Sequence, residues 1–308
     1  PTPAPVAGAA PATPAPVAAP AAGGSDFPLA LTVATSSTMM AGDADSVAMS
    51  GGLIVIGNSY YSNYRGLVSI YRASDGVLLK QFSGSGSNDY LGYSVAIDGD
   101  TVVAGAWEWP NEGFAKVYRT PDGGDTWTTA ATLTASDGAK NDYFGRSVAV
   151  AGDTIFVGAY GDDDDGTNSG SVYVFRTTDG GATYDEVETL KASSPKAGAN
   201  FGNALAADGD TLVIGAYSDN SYKGAVYVFR KSGSTYAQVA RLTGSGVASD
   251  DEFGTSVDVS GDTIVVGTGD TDAAFVYRTS DGGATWAAVT TLEGSDDFGQ
   301  SVAIDGDT

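Results

Sequence analysis

Four consecutive aspartates, Asp162 to Asp165, are the side chains whose type and spacing most clearly suggest chemistry in this sequence. They stand in the stretch GDDDDGTNSG, between two runs rich in apolar residues. Carboxylates grouped on a tight connection either hold a cation or form a solvated turn. Two like charges about 4 Å apart in water repel by only ~1 kcal/mol, so a hydrated turn needs no metal. The residues alone leave both interpretations open.

Two missing residue types narrow the chemistry further. The chain has 308 residues and contains neither cysteine nor histidine. Catalytic dyads and triads built on these residues are therefore absent, and so is the commonest zinc ligand. A disulfide scaffold is excluded as well, so we expect stability to come from a packed core, bound ions or assembly.

The chain is strongly acidic, with 38 Asp and Glu residues against 15 Lys and Arg residues and a net charge of −23 at pH 7. Binding to nucleic acid needs clustered basic residues, so the charge argues against it, and equally against an anionic membrane surface. No apolar run is long enough for a transmembrane helix, so we expect no membrane insertion. The charge suits cations, basic partners or a saline medium, or it serves solubility alone.

Residues 1–25 differ in composition from the rest, being rich in Pro, Ala and Thr and free of aromatic side chains. Because proline fixes φ, this segment is predicted to be extended and polyproline II-like. Its Ala-Pro and Thr-Pro pattern resembles the glycosylated modules of plant and algal arabinogalactan-type wall proteins; an inert spacer is the alternative. The resemblance implies an extracellular or cell-surface location and glycosylation at Thr2, Pro3, Pro5, Pro11, Thr13, Pro14, Pro16 and Pro20.

Residues 26–308 have an all-β pattern, in which short runs of β-branched and aromatic residues are separated by turns. Similar stretches, such as NDYLGYSVAIDGDTVVAGAW, recur about every fifty residues. Each repeat is interpreted as four strands: SVAID, then TVVAGA after a tight hairpin, then segments such as SVYVF and EVETLKA. This predicts a β-propeller of four-stranded antiparallel blades, with five complete blades, one partial blade, and six or seven in the full protein.

The repeats resemble FG-GAP repeats, the blades of integrin α-type propellers, and the glycines carry the resemblance. The FG element stands as Phe144-Gly145, Phe201-Gly202, Phe253-Gly254 and Phe298-Gly299, with Leu91-Gly92 as a variant. The GAP element stands as Gly105-Ala106-Trp107, Gly158-Ala159-Tyr160 and Gly215-Ala216-Tyr217, with an aromatic residue in place of the proline. The resemblance implies a propeller over residues 43–308.

The same resemblance implies calcium binding in loops of the form DxDxDGxxD within a blade. Gly166 matches the motif glycine, which puts Asp163 and Asp165 at its third and fifth positions. Gly161 and Ser169 stand where the first and last aspartates belong, and the equivalent loops carry fewer acids. The expected ligands of calcium, the one cofactor considered, are therefore Asp162, Asp163, Asp164, Asp165 and Asn168.

Three hairpins between third and fourth strands, TPDGGDTW, TTDGGATY and TSDGGATW, resemble the Asp-box of sialidases and other propellers. Their aspartates are Asp122, Asp179 and Asp281. An aspartate in such a turn accepts backbone N–H bonds, glycine takes the awkward φ, and the aromatic residue packs beneath the hairpin. We expect these to be structural turns without a catalytic role.

The last repeat, residues 301–308, is expected to hold only the first strand of a blade. Residues 27–35, FPLALTVAT, resemble fourth strands and could add an outer strand to it. The missing strands would come from further sequence or from a neighbouring chain, because exposed strand edges invite pairing. We therefore expect protein partners, including self-assembly through the incomplete blade and the N-terminal segment.

Two functions remain open, and an enzyme is not expected. The first is a non-enzymatic extracellular structural or adhesive cell-surface protein, as a subunit of a glycosylated filament or surface layer. The second is a module that binds a glycan or protein through aromatic residues near the loops between second and third strands, which either stack on sugars or cover neighbouring blades. Those residues are Tyr60, Tyr61, Tyr64, Trp107, Trp109, Tyr160, Tyr217 and Tyr222.

Overall fold

Antiparallel four-stranded sheets account for every strand in the part of the chain that the structure describes. The computed structural model describes residues 44–107 and 111–306. Within them lie five sheets, each built from strands that are consecutive in sequence and paired in chain order. The predicted all-β propeller fold with five complete blades is thereby confirmed. The predictions for residues 1–25, residues 27–35 and Trp109 fall outside the described residues.

The blades follow one another along the chain, and two of their loops contain a four-residue turn, labelled α1 and α2, whose central residues have left-handed backbone angles. Blade 1 comprises β1 (Ser46–Ser50), β2 (Leu53–Asn58), α1 (Tyr61–Tyr64), β3 (Leu67–Arg72) and β4 (Leu78–Ser83). Blade 2 comprises β5 (Ser94–Asp98), β6 (Thr101–Ala106), β7 (Phe114–Arg119) and β8 (Thr128–Leu133). Blade 3 comprises β9 (Ser147–Ala151), β10 (Thr154–Ala159), β11 (Ser171–Arg176) and β12 (Asp185–Leu190). Blade 4 comprises β13 (Leu205–Asp208), β14 (Thr211–Ala216), α2 (Asp219–Tyr222), β15 (Ala225–Ser232) and β16 (Thr235–Leu242), and blade 5 comprises β17 (Val257–Ser260), β18 (Thr263–Gly267), β19 (Ala273–Arg278) and β20 (Ala287–Glu293).

The pairing within each blade departs from a regular ladder at one repeated place. The register between the third and fourth strands shifts at Val117/Tyr118 in blade 2 and at Val174/Phe175 in blade 3. The other blades shift at the equivalent step. A bulge of this kind bends the strand and increases its twist. The blades therefore share one local irregularity, which the sequence pattern did not predict.

The core lies between consecutive blades. The second strands β6, β10 and β14 are buried at every residue, as expected from their continuous apolar sequences. One cluster packs Phe156 and Val174 of blade 3 against Leu212 and Phe229 of blade 4. Similar clusters join the other neighbouring pairs of blades. A single blade could not bury both of its faces, so each depends on its neighbours.

The FG and GAP glycines meet at the joints between blades. The backbone N–H of Gly145 donates to the carbonyl of Gly158 in its own blade, 3.0 Å away. Its φ of 90° turns the Gly145 carbonyl toward the preceding blade, where it accepts a hydrogen bond from Ser94 Oγ at 3.0 Å. The same carbonyl presses against Gly105, leaving no room for a side chain there. The two glycine motifs thus form the two halves of one joint.

This joint recurs between all neighbouring repeats, with one substitution of partners. Ser46, Ser147 and Ser256 donate to the carbonyls of the next FG glycine, as Ser94 does. Blade 4 has Ala204 at that position, and the amide of Asn203 donates to the Gly254 carbonyl instead, at 3.4 Å. The joint is therefore maintained by a neighbouring side chain where the serine is missing.

The last repeat docks on blade 5, but its expected first strand does not form within residues 301–306. A strand needs a ladder of hydrogen bonds to a neighbouring strand, and residues 301–306 form no such ladder. The segment is held instead by Asp258 Oδ2, which accepts the Ile304 N–H at 2.7 Å, and by Ser260 Oγ, which accepts the Gly306 N–H at 3.0 Å. The prediction of a strand here was wrong, although the docking position fits a further blade.

Candidate functional site

One end of the blades gathers the loops that differ most between repeats. At this end each first strand begins and each second strand finishes: Ser94, the first residue of β5, pairs with Gly105 near the end of β6. The loops to the third strands and the segments before each FG element therefore lie there as well. The tight hairpins and the three Asp-box-like turns lie at the opposite end. We call the first of these the loop end. A binding function would be built there, because loops on a rigid scaffold are free to vary.

Aromatic rings form a connected surface across the loop ends of blades 1 to 3. Tyr90 stacks on Trp107 with ring centroids 4.6 Å apart, and Tyr143 stacks on Tyr160 at 5.1 Å. Trp107 and Tyr143, at 5.7 Å, join the two pairs. Edge and tilted contacts extend the set on both sides. We call this set the aromatic surface: Tyr60, Tyr64, Tyr90, Tyr93, Trp107, Tyr143 and Tyr160.

The aromatic surface is open at one side and carries backbone strain. Tyr60 and Tyr64 are 52% and 41% exposed, whereas the other members are half-buried. Tyr90 and Tyr143 have φ of 55° and 58°, in the left-handed region that non-glycine residues rarely adopt. Such positions cost of order 1–3 kcal/mol and are concentrated at functional sites. Glycine or asparagine would adopt this positive φ with less strain, but neither would supply an aromatic ring at these two positions.

A pocket lies beside this surface, where equivalent positions of four blades converge. Arg146 follows the FG element of blade 3, and its guanidinium carbon lies 4.1 Å from the Tyr93 ring centroid and 5.7 Å from that of Tyr160. Burial raises the pKa of the Tyr93 hydroxyl, although the charge of Arg146 opposes this. The cavity has a volume of about 370 Å³ and is completed by Asn203, Tyr217, Glu252 and Thr255.

The four aspartates that opened the sequence analysis do not converge on one point. Asp162 is buried and accepts hydrogen bonds from the Tyr173 hydroxyl at 2.9 Å and from the Asp164 N–H at 2.9 Å. Asp163 accepts the N–H of Asn168 at 2.7 Å. Asp164 and Asp165 are exposed and pair with Lys191 Nζ at 3.1 and 3.2 Å. No cluster of three or more acidic residues suited to a metal ion occurs in residues 44–107 and 111–306.

The geometry therefore fits calcium poorly as it stands. Two of the expected ligands already neutralise a lysine, and Asn168 meets the loop through its backbone. Calcium prefers six to eight oxygen ligands, so Lys191 would have to leave before the loop could supply them. Calcium binding by Asp162, Asp163, Asp164, Asp165 and Asn168 stays a prediction.

Asp219 in blade 4 is the structural equivalent of Asp162, with a different electrostatic environment. It is fully buried and accepts hydrogen bonds from Lys196 Nζ at 2.6 Å, Arg241 Nη2 at 2.7 Å and the Tyr227 hydroxyl at 2.8 Å. Burial alone would raise the pKa of Asp219, but these donors lower it below its usual value. The position is thus a buried acceptor for a tyrosine in both blades, and only blade 4 compensates it with two cations.

Asp142 lies close to the uncompensated aspartate of blade 3. Its carboxylate accepts the Ala139 N–H at 2.7 Å. Burial raises the pKa of Asp142 to about 6; the hydrogen bond opposes this, and the charges of Asp162, Asp163 and Asp137 add to it. Burial, together with these neighbouring carboxylates, therefore disfavours the ionised form of Asp142 at the loop end of blade 3.

The three Asp-box-like turns at the opposite end share one hydrogen-bond pattern. Asp122 accepts the Thr126 N–H at 2.8 Å and the hydroxyls of Thr120 and Thr126, and Asp179 and Asp281 make the same contacts. Hydrogen bonds from Thr126 lower the pKa of Asp122 to about 2. Trp127 is buried against blade 1 and donates its indole N–H to the Gly124 carbonyl at 3.0 Å. That these turns serve only the fold stays a prediction.

The sequence interpretation found part of the loop-end site and missed part. Tyr60, Tyr64, Trp107 and Tyr160 belong to the aromatic surface, whereas Tyr217 and Tyr222 pair separately in blade 4 at 6.2 Å. No ring contact involving Tyr61 occurs among the described residues. The missed members are Tyr90, Tyr93 and Tyr143, together with Arg146 in the pocket. Their positions directly before and after the FG element were the available signal.

A comparison with protein families agrees with the geometry of the joints. A sequence model described as FG-GAP repeat matches residues 83–117, 127–175, 184–229 and 236–285. These ranges cover more than half of the chain, and each contains one FG glycine and the following GAP glycine, such as Gly145 and Gly158. A search of curated proteins gives no match to the chain.

Proposed function

Because the chain belongs to the FG-GAP repeat family, we propose that it is a non-catalytic adhesive module of an extracellular cell-surface protein, which binds its partner at the loop end. Propellers of this family are generally non-catalytic and are typical of extracellular domains. In the described part of the chain, no helix has the length and apolar character needed to cross a membrane. The partner contacts the aromatic surface.

One observation carries the proposal: half-exposed aromatic rings are connected across three blades and held partly by strained backbone. Large aromatic side chains supply contact area at a low entropic cost, and their polar tips hydrogen-bond a partner. Isolated exposed aromatics need no explanation, but a contiguous patch on loops points to binding.

An adhesion assay with two loop-end variants tests this function. Beads coated with the full chain are expected to adhere to cells of the source organism. The double variant Tyr90→Asn/Tyr143→Asn removes two rings and keeps a backbone compatible with positive φ, since Asn200 occupies the equivalent position in blade 4 with φ 56°. Adhesion should fall at least tenfold in this variant, with melting temperature unchanged or raised.

The matched control is Val77→Asn, which removes an exposed apolar side chain at the opposite end of blade 1. It should leave adhesion intact. Wild-type beads that do not adhere, or equal adhesion by the double variant, would refute the proposed function.

A structural role in a filament is a second candidate, supported by apolar side chains of blade 1 and of the region around β20 that are exposed in the described part of the chain. On blade 1, Val47 and Met49 are 68% and 71% exposed. In blade 5 Leu292 is 46% exposed, and Phe298 just after this blade is 39% exposed, whereas the equivalent Leu242 and Phe253 are 6% and 0% exposed. If the blade 5 face of one copy met the blade 1 face of the next, the contact would be heterologous and would propagate.

Sedimentation of the full chain tests this second role. We expect concentration-dependent growth of linear species, visible by electron microscopy. The variant Leu292→Asp should abolish it, and the control Val187→Asp, at a 46% exposed position on blade 3, should not. A monomer at all concentrations, or equal growth in both variants, would rule out assembly through these faces.

A further inference from the structure

The pocket at the loop end is built from a position that repeats along the chain, the residue after each FG glycine. Tyr93, Arg146, Asn203 and Thr255 occupy this position in blades 2 to 5 and line one cavity together. First strands of neighbouring blades contact one another, so the residues that precede these strands converge. A cavity of about 370 Å³ at such a convergence lies within the range of small-molecule sites.

Arg146 is the cation of this cavity, and it has no acidic partner. None of the ion pairs within the described residues includes it. Its guanidinium is held instead over the faces of Tyr93 and Tyr160. In a chain with a net charge of −23, an arginine that lines a concave site and makes no ion pair among the described residues can receive an anion from outside.

Glu252 lies on the blade 5 wall of the same cavity, which makes the site bipolar. Its pKa is raised by burial and by the charges of Asp270 and Asp250. Asn203 and Thr255 are engaged with backbone groups, Asn203 through Gly254 and Thr255 through the Glu252 carbonyl at 2.9 Å. The groups left for a ligand are therefore one guanidinium, one carboxylate, and the rings and hydroxyls of three tyrosines.

From these groups the geometry points to an acidic sugar residue, such as a hexuronate of a polysaccharide, as the ligand of this pocket. The sugar carboxylate would pair with Arg146, the apolar face of the ring would lie on Tyr160 or Tyr217, and a ring hydroxyl would donate to Glu252. A sugar acid carries all three features within one ring. This inference rests on the proposed adhesive function and deepens it by naming the class of partner.

Titration of the full chain with trigalacturonate tests the inference, with tyrosine and tryptophan fluorescence or heat as the readout. We expect saturable binding that weakens with salt, and no binding of the neutral galactotriose. Arg146→Met should weaken binding at least tenfold, and Arg146→Lys should weaken it less. Arg65→Met removes an exposed arginine from the same end of the molecule, outside the pocket, and should leave affinity unchanged.

A second variant keeps the test valid if Arg146→Met is poorly folded. Glu252→Met removes the acceptor of the ring hydroxyl and should weaken trigalacturonate binding about two- to fivefold. Equal binding of the neutral sugar, or no binding of trigalacturonate at millimolar concentration, would overturn the inference. Triglycine that competes with trigalacturonate at the same affinity would overturn it too, because the pocket would then bind any carboxylate, including that of a peptide. If bead adhesion falls in the Tyr90→Asn/Tyr143→Asn variant but not in Arg146→Met, the acidic-sugar inference is wrong and the proposed adhesive function is retained.

Discussion

The carbonyl oxygen of Gly145 occupies the space that a side chain on Gly105 would need. Gly105 lies in a buried strand of blade 2, and Gly145 begins blade 3, so the contact joins two blades. The nearest atom to a Cβ on Gly105 would be this backbone oxygen, which cannot move aside without shifting a blade, and Ser94 Oγ would be the next nearest. The FG and GAP glycines are explained by this packing and by one positive φ, without reference to any ligand.

Gly105→Ala is therefore expected to lower the free energy of unfolding by about 3 kcal/mol or more, because overpacking against backbone displaces a whole element. The control Gly99→Ala lies in an open hairpin with φ 51° and nothing near its Cβ, and it should cost about 1 kcal/mol from conformation alone. Denaturant unfolding of the two variants measures the difference. Equal losses would contradict the steric account of the joint.

Asp142→Asn is expected to stabilise the protein at pH 7. The pKa of Asp142 is raised to about 6 in the fold by burial and neighbouring aspartates, against about 3.8 when unfolded. Because the folded state binds this proton more tightly, the contribution of the Asp142 carboxyl to the free energy of unfolding is complete below about pH 4. It is lost as pH rises through about 6. The variant keeps an oxygen for the Ala139 N–H and should gain about 1–2 kcal/mol over wild type at pH 7, but nothing at pH 4.

Unfolding curves at both pH values measure this gain. Asp125→Asn, in an exposed hairpin, controls for the change in net charge. A gain of the same size at pH 4 and pH 7 would show that ionisation of the buried Asp142 carboxyl is not its cause.

Asp219→Asn is expected to destabilise the protein by about 2 kcal/mol at neutral pH, because it leaves Lys196 and Arg241 beside a neutral side chain. The pKa of Asp219 is lowered in the fold, so its contribution is present above the ordinary value of 3.8 and is lost as pH falls below it. The difference between variant and wild type should therefore shrink in acid, as measured by unfolding at pH 7 and pH 3. Asp75→Asn, which breaks the exposed pair with Arg72, should change stability little at either pH.

Lys191→Met is expected to raise the affinity of the four-aspartate loop for calcium about tenfold. Lys191 now neutralises Asp164 and Asp165, and its removal frees both carboxylates for an ion. Calorimetric titration with calcium measures the change, and Lys223→Met, on the equivalent loop of blade 4, is the control. Absence of heat with wild type and variant alike would end the calcium prediction.

The blade architecture could be predicted from sequence because its signals are local and repeated. The hairpin at Gly99 needs only a positive φ, and the strand TVVAGA needs only continuous apolar residues between two packed faces. Each of these signals recurs about every fifty residues, so errors in one repeat are corrected by the others. The segment 301–306 failed for the complementary reason, because strand formation there depends on a partner strand.

The candidate site could not be derived in the same way. Tyr90 and Trp107 are separated by a complete hairpin, and their stacking depends on the left-handed backbone before the FG element. The pocket gathers Arg146 with residues of three other blades, a relationship that follows from the arrangement of blades and not from any local pattern. The four aspartates could not be interpreted from their own sequence either. Lys191, which follows β12, forms ion pairs with Asp164 and Asp165.

The joint between Gly105 and Gly145 also bears on how such a chain can lengthen or shorten over evolutionary time. Blades 2 to 5 each carry an FG glycine that meets the blade before and a GAP glycine that meets the repeat after. Duplication or loss of one whole repeat therefore preserves the glycine contacts between all the remaining repeats. A substitution at one GAP glycine, in contrast, disrupts a contact with the next repeat and cannot be compensated within its own repeat. The number of repeats can therefore change by one at a time, and the loops at the loop end can vary without altering the glycine contacts between blades.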